Sequence, residues 1–135
     1  MKKIIIMIVL SIVGIIGIMM IFYRTEKMTE FEITRIVKEA DYKIHDIVTK
    51  SLDMNNPTKL KELENELGNI DINLREKLKD NDRNHIIELH EDLLIKAYRV
   101  LEEKIKITEN KLPISSQFDK LLDDFGKSYE SLNRY

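Results

Sequence analysis

Apolar positions along the chain follow two different patterns. Ile4 to Tyr23 is a run of 20 consecutive uncharged residues with no polar period in it. Beyond Met28 the apolar residues recur at steps of three and four. The first such stretch carries Ile33, Ile36, Val37, Ala40, Ile44, Ile47, Val48 and Leu52, one face of an amphipathic helix. Asn55-Asn56-Pro57 ends it, and Asn56 is placed to N-cap the next helix with Pro57 at its first position. In the second stretch Leu60, Leu63, Leu67, Ile70 and Leu74 alternate steps of three and four, a heptad row of about two heptads. Gly68-Asn69 inside this row is a candidate kink or break, and Asp80-Asn81-Asp82 is a polar break.

The third stretch runs from Asn84 to about Asn110 and places Ile86, His90, Leu93, Leu94, Ala97, Val100, Leu101, Ile105 and Thr108 on one face. Leu112-Pro113 closes it, and Ser116-Gln117-Phe118-Asp119 reads as a capping box for a last helix bearing Phe118, Leu121, Leu122, Phe125, Tyr129 and Leu132. No stretch beyond the opening run alternates as a strand would. The connections are short, which makes neighbouring helices antiparallel. The expected fold is all-α. A single N-terminal transmembrane helix with its flanks, residues 1–27, precedes an antiparallel up-down bundle of three to four helices over residues 28–135.

As a helix the opening run spans about 30 Å, the thickness of a bilayer's hydrocarbon core. A secretory signal has a shorter apolar region, about 7–15 residues, followed by small residues at the cleavage site. Here the exit is Met19-Met20-Ile21-Phe22-Tyr23-Arg24, all large, while Ser11, Gly14 and Gly17 lie inside the run. There is no cysteine to form a lipobox. The run therefore reads as a retained anchor in the lipid bilayer, with Phe22, Tyr23 and Arg24 at the membrane interface. Nothing between Gly17 and Asn55 is a strong helix breaker, so the anchor and the first amphipathic helix form a candidate rod of about 50 residues, roughly 75 Å long. Lys2 and Lys3 favour a cytoplasmic N-terminus, and Arg24, Lys27, Arg35 and Lys38 oppose it. Long domains translocate largely regardless of charge. The expectation is a single-pass protein of a bacterial plasma membrane, its C-terminal domain extracytoplasmic.

Charge narrows the function classes. The chain has 22 basic and 24 acidic residues, and setting aside Lys2 and Lys3 leaves 20 against 24 with the signs interspersed. Phosphate neutralisation needs a basic stripe, so no nucleic-acid partner is expected. The absence of cysteine excludes disulfides, thiolate metal sites and a thiol nucleophile. Alanine occurs only at Ala40 and Ala97, so the helices pack through bulky side chains.

The segment His85 to Asp92, HIIELHED, resembles a scrambled metalloprotease motif. That motif needs two histidines four apart on one helix face. His85 and His90 are five apart, about 140° around the helix. His90 falls with Ile86, Leu93, Leu94 and Ala97 as a core or boundary residue, while His85, Glu88 and Asp92 share a polar face. His45 pairs by spacing with Asp41 at i,i+4, a surface contact. Ser51, Ser115, Ser116, Ser128 and Ser131 lack a nucleophile elbow, and no histidine follows a glutamate at the spacing of bundle di-metal sites. No catalytic residue, metal or cofactor is expected, and no small-molecule substrate is identified.

These readings point to a non-enzymatic, membrane-anchored helical protein, a scaffold or accessory subunit at the cell envelope that meets a protein partner or a second copy of itself. Leu60, Leu63, Leu67, Ile70 and Leu74 are the interaction candidates, a face that serves either the core or a partner. The architecture also resembles the extracytoplasmic four-helix domains of bacterial chemoreceptors. That resemblance implies an alternative, ligand sensing relayed through a signalling partner.

Overall fold

The structure, a computed structural model, describes residues 29–78 and 85–135. These form four helices, α1 (Glu30–Leu52), α2 (Pro57–Leu78), α3 (His85–Glu109) and α4 (Ser116–Asn133), and no strand among the described residues. Helix α3 packs on each of the other three, and α1 also packs on α2 and more lightly on α4. Cross-helix contacts set the directions. Lys61 meets Glu109 at 2.8 Å and Arg75 meets Glu91 at 3.8 Å, so α2 and α3 are antiparallel. The Lys96 ammonium donates to Ser128 Oγ at 2.6 Å, and Lys104 lies over the Phe118 ring, so α3 and α4 are antiparallel as well. His90 meets Asp41 and Lys104 meets Leu52, which makes α1 and α3 parallel, in close contact across the middle of an up-down bundle.

No helix among the described residues is long and apolar enough to cross a membrane. The predicted anchor, residues 1–27, including Phe22, Tyr23 and Arg24, lies outside the described residues, as does Asp80-Asn81-Asp82.

The helices follow local chemistry, and three features correct the sequence reading. First, α1 has its own start. Thr29 is extended (φ −67°, ψ 154°) and its hydroxyl accepts the Glu32 N–H at 3.2 Å. Thr29-Glu30-Phe31-Glu32 has the residues of a capping box, so the continuous rod is interrupted at Thr29. Second, Gly68-Asn69 does not break α2, which runs unbroken to Leu78. A β-carbon at Gly68 would stand 3.2 Å from Tyr98 Oη, so the glycine makes room for a neighbouring ring. Third, α4 is capped by Ser115, whose hydroxyl accepts the Phe118 N–H at 3.2 Å, one residue before the expected Ser116. The C-terminal end of α3, at Glu109, falls about where the spacing placed it and is made by backbone geometry. Lys111 adopts φ 51°, Leu112 N–H reaches Ile107 C=O at 2.9 Å and Lys111 N–H reaches Thr108 C=O at 3.4 Å. This is the Schellman arrangement, with lysine where glycine is usual. Asn56 caps α2 as its position suggests, accepting from the N–H groups of Thr58 (2.9 Å) and Lys59 (3.3 Å).

The core joins all four helices, with Val37, Ile44, Leu67, Ile86, Leu93, Leu101 and Leu132 among the fully buried side chains. Each such side chain contributes about 1.5–3 kcal/mol by leaving water. Toward its C-terminus α3 buries Lys104 and Ile107, whereas Ile105 and Thr108, expected on the core face, are only half-buried. The Lys104 ammonium donates to the Leu52 carbonyl at 3.2 Å. A cation thereby satisfies one of the free carbonyls at the C-terminal end of α1, where the helix dipole favours positive charge.

Candidate functional site

The polar residues inside this core form the most elaborate constellation of the bundle. Asp41 on α1 and His90 on α3 are each 1% exposed. His90 Nδ1 and Asp41 Oδ1 are 2.5 Å apart, a short contact between residues 49 positions apart in sequence. An ionised carboxylate accepts only, so with Asp41 charged the Nδ1 proton is on the histidine and Nδ1 donates. The far side of the ring, Nε2, has no hydrogen-bond partner and lies 3.7 Å from Asp71 Oδ1 on α2. Asp71 is itself held at the surface, its two oxygens accepting from Arg75 Nε at 3.2 and 3.1 Å. Arg75 reaches on toward Glu91. One polar line therefore runs from the middle of the bundle to the α2–α3 surface.

Burial pushes the Asp41 carboxyl above the usual carboxylate range, and the hydrogen bond and charge of His90 pull it back in part. Asp41 Oδ2 also lacks a hydrogen-bond partner. Nearby, the Tyr98 phenol is pushed up by burial first and then by the charges of Asp71 and Glu64. The polar line is not built for acyl transfer, because the atom facing the free imidazole nitrogen belongs to a second carboxylate and not to a hydroxyl nucleophile.

The sequence reading assigned Asp41 to His45. The structure separates them. The His45 ring stacks instead on Tyr129 of α4, centroids 4.3 Å apart and planes 25° apart, with Phe125 stacked behind at 6.3 Å. A signal for the buried Asp41 was present in the chain: Val37, Asp41, Ile44, Val48 and Ser51 step by four and three without a fault. Ser51, the other polar member, is buried and donates to the Val48 carbonyl at 2.6 Å.

A second constellation sits at the α3–α4 surface. Ser128 Oγ accepts from the Lys96 ammonium at 2.6 Å and donates to Asp92 Oδ2 at 3.0 Å, and Lys96 and Asp92 form an ion pair at 2.9 Å. A serine–lysine dyad needs an amine free to take the hydroxyl proton. Here the amine is tied to a carboxylate, and the Lys96 hydrogen bond holds Asp92 below the usual carboxylate range. Asp92 is thus drawn away from the polar face it shares with His85 and Glu88. His85 Nδ1 lies 3.5 Å from Glu88, and its ring leans toward Tyr135 at 5.9 Å. Among the described residues no group of three or more His, Asp or Glu side chains is placed to hold a metal.

Of the heptad row, Leu60, Leu63, Leu67 and Leu74 are buried at 5% exposure or less, and Ile70 packs half-buried against the core edge. The large apolar side chains that α2 and α3 leave in solvent are Ile72 and Ile95, 55% and 52% exposed. The antiparallel register puts them at about the same height along the bundle.

No family model matches the chain, and no curated protein and no solved structure is significantly similar to it.

Proposed function

We propose that the chain is a single-pass, membrane-anchored helical module of a bacterial envelope that works by contact, as an accessory or scaffold subunit. The observation that carries this reading is the join between its two parts. A 20-residue uncharged run is connected by only five residues, Arg24 to Met28, to a bundle that starts on its own N-cap at Thr29 and buries its own apolar faces. Such a run is long enough to span a bilayer, and the bundle beside it is a folded payload. At the α3–α4 surface Lys96, Asp92 and Ser128 are tied to one another, which supports a role without catalysis. The leucines of the heptad row lie in the core, and Ile70 packs toward α1, so a partner would meet Ile72 and Ile95 on α2 and α3. Lys2 and Lys3 keep the N-terminus inside, and the bundle faces out.

The test is fractionation and cross-linking of the full-length chain in a bacterial host. It should resist carbonate washing of membranes. In spheroplasts, added protease should remove the bundle while sparing a short anchored stub. A photo-reactive residue at position 72 or 95 should give an adduct of discrete mass that the same residue at the buried position 67 does not. Release by carbonate would refute the anchor, protection of the bundle from external protease would refute the orientation, and the absence of an adduct would refute contact through this face.

A further inference from the structure

The outward face of α1 carries a stripe that packing does not explain. Phe31 is 79% exposed and Tyr42 is 69% exposed. Residues 31, 35, 38 and 42 fall within about 60° of one another around a helix and span about 17 Å along it. The stripe therefore reads Phe31, Arg35, Lys38, Tyr42. Lys43 and Tyr135 flank it, and together with Thr34 and Glu39 these six side chains line one shallow surface groove. Arg35 is held by Glu39 at 3.2 Å. Lys38 and Lys43 make no ion pair among the described residues. Aromatic rings beside free cations are the composition that settles at the headgroup level of a membrane.

We propose that this face of α1 lies on an anionic phospholipid bilayer, with Phe31 and Tyr42 in the headgroup region and Lys38 and Lys43 against lipid phosphates. The inference rests on the anchor reading proposed above. The tether supports it: residues 24–28 extend at most about 18 Å, so the start of α1 cannot leave the vicinity of the run's exit. The break at Thr29 supports it too. A continuous rod standing on the membrane would lift Tyr42 about 28 Å beyond Tyr23, out of reach of lipid. An extended Thr29 allows α1 to turn and lie down, and then Phe31 and Tyr42 are level with the surface together.

The chain has no tryptophan, so single-tryptophan variants of the full-length protein report one position each. The probes are Phe31→Trp and Tyr42→Trp on the stripe, Ile95→Trp as an exposed site on α3, and Ile12→Trp inside the uncharged run. Each is placed in nanodiscs of phosphatidylcholine and phosphatidylglycerol, with and without bromine on the acyl chains, after circular dichroism confirms the helix content of the wild type. The expected result is blue-shifted emission and bromine quenching at positions 12, 31 and 42, with position 95 water-like and unquenched. Quenching at 12 with water-like emission at 31 and 42 overturns the inference and leaves the anchor standing. No quenching at 12 overturns the anchor reading, and this inference with it. A blue shift at 31 and 42 without quenching means that protein covers the stripe, a second copy or the run itself, and also overturns it. So does quenching at 95 equal to that at 31.

Discussion

Replacing His90 by leucine tests whether the buried pair is a unit. Asp41 and His90 are each 1% exposed and meet at 2.5 Å, so His90→Leu strands a buried carboxylate without its donor. Removing one partner of a buried pair costs about 3–5 kcal/mol. Asp41→Val leaves the imidazole with both nitrogens unsatisfied, a loss of about 1–3 kcal/mol. The double variant Asp41→Val/His90→Leu strands neither group and fills similar space with carbon, so it should lie within about 1–2 kcal/mol of wild type or above it. The coupling energy is then about 3 kcal/mol or more, several times the coupling of an exposed ion pair. Urea unfolding of residues 29–135, which contain every core residue named above, followed by circular dichroism at neutral pH, measures all four corners. With a slope of about 1.5 kcal/mol per molar urea, the histidine variant should lose about 2–3 M in midpoint and the double variant should recover most of it. A His90→Leu loss below about 1 kcal/mol, or a double variant as unstable as the sum of the singles, would refute the reasoning.

Further predictions concern pH and the helix ends. Asp41 is raised by burial above 3.8, so between that value and its folded pKa the native state holds a proton that the unfolded chain has lost. Its contribution is fully present below 3.8 and is lost as pH rises through the folded pKa. Asp41→Asn keeps an acceptor for His90 and cannot ionise, so its urea midpoint relative to wild type should climb as pH is raised from below 3.8; parallel profiles would refute the shift. Thr29→Ala removes the hydroxyl that caps α1 and should cost about 1 kcal/mol, a drop of about 4–8 °C in Tm. Lys111→Gly relieves a left-handed lysine at φ 51°. The relief of about 1–2 kcal/mol, less about 0.5–1 kcal/mol for the freer unfolded chain, should raise stability by up to about 1.5 kcal/mol, while Lys111→Ala should leave it nearly unchanged.

Much of the bundle is written in the spacing of its residues. The steps of three and four from Ile33 to Leu132 give four helices, because the helical period alone decides which side chains share a face. The capping residues Asn56 and Thr29 are local as well: each depends only on a side-chain oxygen two or three residues from the N–H it accepts. The opening run, too, is a property of sequence, since 20 uncharged residues need no partner to identify them.

Tertiary structure decided which polar members of those faces would be tolerated, and how. Asp41, His90 and Lys104 occupy core spacing in their own helices, yet each has its hydrogen-bond partner on another helix, 49 or 52 positions away. Spacing can place a charge on the inner face, but its partner depends on how the helices are arranged, which is why Asp41 looked like the neighbour of His45. Gly68 likewise reads locally as a breaker. It nevertheless lies inside the unbroken α2, where the Tyr98 hydroxyl of α3 stands 3.2 Å from the place its β-carbon would take. The helical period set the faces, and only the joining of α1, α2 and α3 decided that a carboxylate and an imidazole would meet inside them. One charge can be buried where another lies within hydrogen-bonding distance, and that distance is a property of the fold.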